Sequence, residues 1–456
     1  MPFRPRLQKH CAAQVLVFTA FAILLVALFS QTSFAQSAQV PPTIFKNYFV
    51  TGDYVVSGWV EQSSANGLAT GTISIPDCRQ AQAMGQQCAQ TSPIPAGADI
   101  VAAYLYWATV EGNQTVFVGQ QAFFNGYKIV GSVLGNPNAP TSWSSGGCTG
   151  SSTGSKTMRM YRADVRPFLP VDLNPASQTF GALVAQVVAQ DGSVSPIKVQ
   201  ISDSGSNGNT QPNALGATLV LVYRVLSPAT PLNAIVLYDG SYAPNNSQRT
   251  MSDTILGFYE PDSTHSAKLT QIVANGQVNK GETVLFGPDS LHLAKVQPQS
   301  LYTATYGANA PPFPGVYGMW DNPTWDVTSM VKGGPLGSGF DVQEITSVSP
   351  SSTNSGCANW GAIVFSTTVQ DTDRDGLLDI WEQNQGYTDA VSNSQISLPS
   401  ANANTKDLYV EVDYLALRDA QKNLLHSHLP KQQALDAVWG AWEDSTARAA
   451  LDATRI

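Results

Sequence analysis

An acidic segment of twelve residues carries the side chains best suited to chemistry in this 456-residue chain. It reads DTDRDGLLDIWE and places carboxylates at Asp371, Asp373, Asp375 and Asp379, with Gly376 at its sixth position and Glu382 at its twelfth. This spacing matches the D-x-[DN]-x-[DN]-G-x5-E pattern at each specified position. Ca²⁺ takes about six to eight hard oxygen ligands, and a tight loop brings alternate carboxylates onto one centre. The segment therefore predicts a Ca²⁺ site.

Each position of the pattern has its own role in binding. Gly376 permits the sharp turn that lets the main-chain carbonyl of Leu377 face the centre. Asp379 binds directly or through a water, and Glu382 closes the shell with both oxygens. Magnesium suits this set less well because it requires a small, near-octahedral shell. The predicted metal ligands are Asp371, Asp373, Asp375, Leu377, Asp379 and Glu382.

A solvated acidic turn without a metal is the alternative interpretation of this segment. Its five carboxylates would repel one another strongly without a cation. Arg374 is the one basic side chain within the twelve residues. The density of negative charge therefore favours a bound cation.

The residues around the loop narrow the kind of site. A helix is predicted from Asp379 through Gln385, whereas residues 361–370 read as a strand, so no helix precedes the loop. Residues 371 to about 387 resemble the calcium loops of the thrombospondin type 3 and dockerin families. Those families carry two or more copies, and this chain carries one. We interpret the single loop as a calcium-stiffened joint between the β-rich region and the carboxyl-terminal segment.

Two pairs of side chains have both a metal-binding and a purely structural interpretation. His426 and His428 could chelate a transition metal, but no third ligand is evident, which favours a surface turn. Asp164 and Asp326 could hold a cation at the end of a strand. Acceptance of backbone N–H bonds at a strand-to-turn junction is the favoured role for these two carboxylates.

An aromatic run at Tyr104, Tyr106 and Trp107 could form a platform on which sugars stack. Tyr104 and Tyr106 share one face of a strand, while Leu105 and Trp107 share the other. Large aromatic side chains dominate protein cores, so we predict that at least one of the two faces is buried.

Catalytic motifs are absent from the sequence. The run Ser204-Gly205-Ser206 lacks the nucleophile-elbow pattern, and neither His265 nor His292 has a recognisable Ser or Asp partner motif. Gly-rich runs such as 203–209 lack the Lys of phosphate-binding loops. We therefore predict no catalytic residues and no enzymatic activity.

The elements that must position these residues are mostly strands. Between about Val40 and Gln370, runs rich in β-branched and aromatic residues alternate with turns rich in Gly, Asn, Ser and Pro. Strand-like runs lie at residues 101–110, 122–133, 216–226 and 233–240. This pattern predicts a mainly β fold built from sandwich or jelly-roll modules.

A weak internal repeat divides the β-rich region in two. YRADVRPFL (161–169) is followed, after a Ser/Asn/Gly-rich stretch, by GATLV (216–220). TWDVTSMV (324–331) is followed, after a Ser-rich stretch, by GAIVF (361–365). Chance similarity between apolar strands is the alternative explanation. The repeat predicts two tandem β-sandwich modules, module 1 at 40–226 and module 2 at 227–370.

The pattern changes after residue 370. The calcium loop and its short helix (371–387) are followed by a polar linker (392–405) and a predicted strand (406–417). A helix then opens at Pro430, and its apolar face is predicted to contain Leu435, Val438, Trp439 and Trp442. Residues 406–456 are thus predicted to form a small α/β segment.

This last segment carries a second resemblance. The strand KDLYVEVDYLAL followed by HSHLPKQQALDAVWGAW is similar to the start of a secreted bacterial domain associated with zinc peptidases. The zinc site of that family is an HExxH helix, and no HExxH occurs in this sequence. The resemblance implies an alternative function, the amino-terminal or degenerate part of a secreted zinc-peptidase-like enzyme.

The amino terminus has the layout of a secretory signal peptide. Basic residues within 1–9 precede an apolar run at 11–29 and a small-x-small triplet at 33–35. We predict cleavage after Ala35, and an uncleaved membrane anchor is the alternative. Cleavage removes three basic residues and changes the net charge from −9 to −12. So acidic a chain is not expected to bind nucleic acid or an anionic membrane.

Cysteine usage agrees with export. Four cysteines remain after cleavage, namely Cys78, Cys88, Cys148 and Cys357, which is consistent with two disulfides and three possible connectivities. The pair Cys78 and Cys88 is favoured because the loop between them is short and polar. Together these features predict a secreted or cell-surface calcium-binding protein with a structural or adhesive role. Its expected partner is an extracellular polysaccharide or a surface protein.

Overall fold

The structure is a computed structural model that describes residues 39–60, 64–75, 94–95, 98–112, 116–137, 141–142, 157–169, 197–204, 212–227, 229–243, 250–259, 265–276, 282–288, 291–297, 320–331, 344–348, 358–409 and 414–443. The predicted signal peptide and the four predicted disulfide cysteines lie outside these ranges. The described residues form several antiparallel sheets and few helices, which confirms the predicted mainly β fold class.

Strands account for most of the regular structure. The strands before residue 226 are β1 (Thr43–Val50), β2 (Gly52–Val60), β3 (Ser64–Ala65), β4 (Leu68–Ile73), β5 (Asp99–Glu111), β6 (Gln121–Phe124), β7 (Tyr127–Val130), β8 (Ser132–Val133), β9 (Thr141–Ser142), β10 (Thr157–Asp164), β11 (Ile197–Ser202) and β12 (Asn213–Arg224). They are followed by β13 (Asn233–Tyr242), β14 (Met251–Ile255), β15 (Ala267–Ala274), β16 (Val284–Gly287), β17 (Ala294–Lys295), β18 (Trp320–Asp321), β19 (Thr324–Asp326), β20 (Glu344–Val348) and β21 (Asn359–Thr368). The remaining elements are helix α1 (Asp379–Gln383), strands β22 (Gly386–Thr388), β23 (Gln395–Ser397), β24 (Ala416–Arg418) and β25 (Leu424–Ser427), and helix α2 (Gln432–Glu443).

Module 1 consists of two facing antiparallel sheets. Its inner sheet has the strand order β2-β12-β5-β10-β8, with β9 paired to β10, and its outer sheet has the order β3-β4-β11-β6-β7. The core between them includes Trp107, Phe124 and Leu219. Buried residues alternate with more exposed ones along β11, as expected for a sheet that has a core on one side only.

Module 2 repeats this arrangement. Its inner sheet has the order β1-β13-β21-β15-β18, with β19 paired to β15, and its outer sheet has the order β14-β20-β16-β17. Strand for strand, β13-β21-β15-β19 corresponds to β2-β12-β5-β10, and the outer sheet corresponds to β4-β11-β6-β7. In both modules the eight corresponding strands alternate between the two sheets in the same order along the chain, which is the arrangement of a jelly roll.

The sequence repeat coincides with equivalent places in the two jelly rolls. The N–H of Val165, after β10, donates to the carbonyl of Ala103 at 2.9 Å, and the N–H of Val327, after β19, donates to the carbonyl of Ala267 at 2.9 Å. A single 3₁₀ turn follows each valine, at Arg166–Phe168 and at Thr328–Met330. The repeated segments therefore end corresponding strands in the same way.

The two inner sheets pack face to face and enclose a third core. It includes Tyr106 and Val220 from module 1, and Ile272 and Val364 from module 2. The inner strands are consequently buried on both faces, which explains why β5, β12 and β21 read as continuous apolar runs without alternation. From one side to the other, the layers are outer, inner, inner and outer.

Strand β1 pairs with a strand of module 2 although the strand that follows it in the chain belongs to module 1. It precedes β2 in the chain, yet it pairs with β13 from Thr43 opposite Asp239 to Val50 opposite Asn233. The first strand within residues 40–226 therefore lies in the inner sheet of module 2. Chain order and sheet membership differ at this point.

Ion pairs also join the inner sheets. Nζ of Lys268 lies 2.7 Å from Oδ2 of Asp53, and it donates to the carbonyl of Tyr54 at 2.6 Å. The guanidinium of Arg162 pairs with Asp239 and lies 3.4 Å from the ring centroid of Phe45. Each pair has one partner from a strand of each inner sheet.

Three sequence-based boundaries differ from the structure. The run 122–133 is not one strand, because Asn125 and Gly126, with φ of 50° and 85°, form the turn of the hairpin β6–β7. Residues 392–405, predicted as a linker, contain β23, which pairs with β22. Helix α1 ends at Gln383, two residues before the predicted Gln385.

Residues 406–456 form a separate compact unit. The predicted strand at 406–417 is wrong for most of its described residues, since 406–409 and 414–415 are irregular and β24 begins at Ala416. Strand β24 pairs with β25 as a hairpin. The predicted helix after Pro430 is confirmed as α2, and Val438 on it is 70% exposed.

Candidate metal centre

The acidic loop begins where β21 leaves the inner sheet of module 2. The N–H of Val369 donates to the carbonyl of Leu232 at 2.9 Å, which fixes the chain at the edge of the module. Ten residues later, the N–H of Asp379 donates to the carbonyl of Gln370 at 3.1 Å. These two bonds close the loop at its base.

The carboxylate of Asp371 organises the turn. Its Oδ1 accepts the N–H groups of Arg374 at 2.7 Å and Asp375 at 3.3 Å, and its Oδ2 accepts the N–H of Gly376 at 3.0 Å. Arg374 and Gly376 have φ of 63° and 97°. A β-carbon on Gly376 would meet no atom within 4 Å, so the backbone angle alone explains the preference for glycine there.

The turn brings carboxylates together. Oxygens of Asp371, Asp373 and Asp375 all lie within 4.8 Å of one another, and an oxygen of Glu382 lies within the same distance of Asp375. Two oxygens on opposite sides of a Ca²⁺ ion would be about 4.6–5.2 Å apart, given bonds of about 2.3–2.6 Å. The side chains of Asp371, Asp373 and Asp375 are therefore spaced closely enough to share one such ion, and Glu382 lies beside one of them.

The pKa of Asp371 is raised at this position in the loop. Burial raises the pKa of its carboxyl, and the charge of Asp375 acts in the same direction. The N–H groups of Gly376 and Arg374 oppose this rise in the pKa but do not cancel it. A cation at the centre would favour the ionised carboxyl and reverse the effect.

Two further predicted ligands have other hydrogen-bonding roles in the structure. Asp379 is 3% exposed, and its two oxygens accept the N–H of Thr372 at 2.7 Å and the Oγ1–H of Thr372 at 2.6 Å. Leu377 donates its N–H to Oδ1 of Asp375 at 2.7 Å. Coordination by Asp379 and by the Leu377 carbonyl stays a prediction.

Thr372 is the residue that the sequence interpretation missed. Its hydroxyl and its N–H together hold both oxygens of Asp379. The signal available in the sequence was a hydroxyl residue at the second loop position, which can bond a carboxylate at the start of the following helix. The bond connects the two halves of the loop.

Helix α1 anchors the loop to module 2. Leu378 and Trp381 belong to the core of that module. The ring of Trp381 stacks on Tyr387 with centroids 4.0 Å apart and meets the ring of Phe49 on β1 edge-on at 4.6 Å. Glu382, 1% exposed, follows Trp381 directly, so its carboxylate is carried by a packed helix.

The structure shows the roles of Asp164 and Asp326, which had two interpretations. Asp164 accepts the N–H of Arg166 at 3.0 Å, and Asp326 accepts the N–H of Thr328 at 2.9 Å. These bonds confirm the favoured role of both carboxylates at strand-to-turn junctions. The side chain and N–H of Thr328 lower the pKa of Asp326.

The aromatic run is buried on both faces of its strand. Trp107 lies in the core of module 1, whereas Tyr104 and Tyr106 lie between the inner sheets. The prediction that at least one face is buried is confirmed. These rings are therefore not a surface platform for sugars.

His426 and His428 lie on the exposed hairpin β24–β25 and its continuation. Their rings meet edge-on with centroids 4.6 Å apart. Within the part of the chain that the structure describes, the groups of acidic, His or Cys side chains spaced for a metal ion do not include these two histidines.

Within the same described ranges, no helix combines the length and apolar character needed to cross a membrane. Comparison of the chain with family models and with curated proteins finds no match in either.

Proposed function

We propose that this protein is exported and binds one Ca²⁺ at the loop Asp371–Glu382, in a structural or adhesive role without catalysis. The observation that carries the proposal is the convergence of carboxylate oxygens from Asp371, Asp373 and Asp375, with an oxygen of Glu382 within 4.8 Å of Asp375. Hard oxygen donors in this number favour Ca²⁺ over transition metals.

The ion's role follows from where its ligands are attached. Asp371 follows β21, and Glu382 lies on α1, which packs into the core of module 2 through Trp381. An ion bound to both ends would hold α1 against the jelly roll. Without it, several carboxylates would repel one another at this junction.

Export and partner class rest on the sequence. The signal-peptide layout and the acidic net charge support a protein outside the cell, where free calcium is abundant enough for a single loop. The jelly rolls present loops that suit recognition of an extracellular polysaccharide or a surface protein. The resemblance to thrombospondin type 3 and dockerin loops belongs to this proposal.

Calorimetric unfolding of the mature chain tests the calcium site. Ca²⁺ at about 100 times its Kd should stabilise the folded state by about 2.7 kcal/mol relative to a chelator. The double variant Asp373→Asn and Glu382→Gln should lose this response because it removes two ligand charges. The matched control, Asp419→Asn with Asp436→Asn, removes the same charge from exposed positions and should keep it.

An unchanged unfolding temperature on adding Ca²⁺ to the unaltered chain would refute the site. So would equal responses of the two double variants.

A further inference from the structure

A cleft adjoins the calcium loop on the side of α1. It has a volume of about 440 Å³ and lies between α1, the hairpin β22–β23 and Tyr259. Its lining combines aromatic rings, amides, hydroxyls and two isoleucines. Its lining includes Tyr259, Trp381, Asn384, Tyr387, Gln395 and Ser397.

The lining restricts the charge of a ligand. No Asp, Glu, Lys, Arg or His lines the cleft among the described residues. A charged ligand would have to leave water without an opposite charge to meet it, which costs free energy. The cleft therefore suits a neutral molecule.

The mixture of groups restricts the ligand further. The rings of Tyr259 and Tyr387 offer apolar surface over the buried Trp381, whereas the amide of Asn384 can both donate and accept hydrogen bonds and the amide oxygen of Gln395 can accept them. A neutral saccharide has the matching combination, apolar C–H faces with a rim of hydroxyls. A volume of about 440 Å³ falls in the range of small-ligand sites and suits a mono- or disaccharide unit.

The cleft is also built on the loop itself. Ile380 and Trp381 line it, and they lie on α1 between the loop residues Asp379 and Glu382. The ring of Tyr387, on β22, stacks on that of Trp381 with centroids 4.0 Å apart. Whatever fixes α1 therefore fixes one wall of the cleft.

We propose that this cleft binds a neutral saccharide unit of an extracellular glycan. The inference rests on the proposed adhesive function for its ligand class and deepens it by naming the site. Ca²⁺ bound at the loop strengthens the binding because it orders the helix that forms the wall.

Saturation-transfer NMR and titration calorimetry on the mature full chain test the site. The probes are cellobiose, maltose, lactose and N,N′-diacetylchitobiose, with an uncharged, end-blocked tetrapeptide as the competing ligand class. Ser397→Trp fills the cleft from an exposed strand position and should abolish saccharide binding. Asn384→Ala should weaken it about tenfold, and Asn404→Ala, an exposed asparagine outside the cleft, should leave it unchanged.

The proposal stands if at least one disaccharide binds with this pattern of variants. It is overturned if none of the four binds, if Ser397→Trp binds as well as the unaltered chain, or if the peptide alone binds.

Calcium is varied separately in the same experiment. A calcium-dependent rise in unfolding temperature without disaccharide binding would overturn the cleft proposal and leave the metal site standing. Disaccharide binding without that rise would support the cleft and refute the metal site.

Discussion

The indole ring of Trp320 packs so closely on the main chain of Gly216 that a β-carbon on Gly216 would lie 2.6 Å from Cγ of Trp320. The same indole donates its Nε1–H to Oγ1 of Thr218 at 2.8 Å. Trp320 belongs to module 2, whereas Gly216 and Thr218 lie on β12 of module 1. The converse contact is made at Gly361 on β21 of module 2, which accommodates the side chain of Met160 from module 1. The glycine that opens each repeat segment thus admits a large side chain from the other module.

Gly216→Ala is expected to destabilise the protein by about 1–3 kcal/mol through overpacking between the inner sheets. The added carbon would also lie 2.7 Å from the carbonyl oxygen of Trp59, which is backbone and cannot swing away. Urea unfolding followed by tryptophan fluorescence measures the loss. Gly440→Ala on α2 is the control, because no atom lies within 4 Å of its new carbon and no loss is expected. Equal stability of the two variants would contradict the close contact.

Gly361→Ala is expected to cost less than Gly216→Ala. Its new carbon would lie 2.5 Å from Cε of Met160, the far end of a flexible side chain that can move aside. The same urea titration ranks the two variants. A larger loss at Gly361 would show that Met160 is held rigidly.

Removal of the Arg162 guanidinium is expected to cost about 3 kcal/mol at pH 8. Arg162→Met leaves the carboxylate of Asp239 in a site where burial already raises its pKa. Arg224→Met is the matched control. The side chains of Arg224 and Asp99 are 46% and 35% exposed, so their ion pair should contribute about 0–1 kcal/mol. Free energies of unfolding from denaturant titration compare the two. A similar loss in both would mean that the Arg162 pair is screened by solvent.

Asp379→Asn is expected to weaken calcium binding less than Asp373→Asn. The amide oxygen that the first substitution introduces can still accept the N–H of Thr372, whose hydroxyl can turn to accept the new amide N–H. Asp373 instead contributes an oxygen to the carboxylate cluster. Calcium titration by calorimetry measures both affinities. A larger loss at Asp379 would make it a direct ligand, as the sequence pattern predicts.

Stability in the presence of a chelator is expected to fall between about pH 4 and 8 because of Asp253. Burial raises the pKa of its carboxyl from 3.8 to about 7, although the N–H of Thr254 acts in the opposite sense. A carboxyl with a raised folded-state pKa stabilises fully below its unfolded pKa, and this contribution is lost as pH rises through the folded value. Asp253→Asn should flatten the profile by about 1–3 kcal/mol across this range. Parallel profiles for both proteins would contradict a buried carboxyl.

Much of the architecture can be read from the sequence because burial and strand propensity act locally. The continuous apolar runs at β5, β12 and β21 predict buried strands, and the repeat predicts two similar modules. The hairpin β6–β7 also had a local signal, since Asn-Gly is the preferred pair for its turn. The Asn125-Gly126 pair therefore divides the run 122–133 into two strands.

Some features of the candidate site can likewise be predicted from the sequence, and others cannot. Its carboxylate spacing predicted the approach of Asp371, Asp373 and Asp375 to one another, because backbone geometry within a few residues is set by local turns. The bond from Thr372 to Asp379 and the packing of Trp381 on Phe49 and Tyr387 depend on neighbours that spacing does not identify. The cleft beside α1 had no sequence signal, since its lining comes from separate elements.

By itself, the sequence determined the strand-rich fold, the repeat and the acidic loop, because each follows from side-chain periodicity or from contacts between near neighbours. The tertiary structure alone decided that β1 joins the sheet of module 2 and that the inner sheets bury each other. The tertiary structure also decided which face of a strand is turned to which core. Ala217 and Ala362 align in the repeat, yet Ala217 lies in the core of module 1 and Ala362 lies between the modules. Both strands shift register beside the repeat glycine, between Ala214 and Gly216 on β12 and between Trp360 and Ala362 on β21, and a shift of one residue exchanges the two faces of a strand. Such choices depend on partners far away in the chain, which no local pattern records.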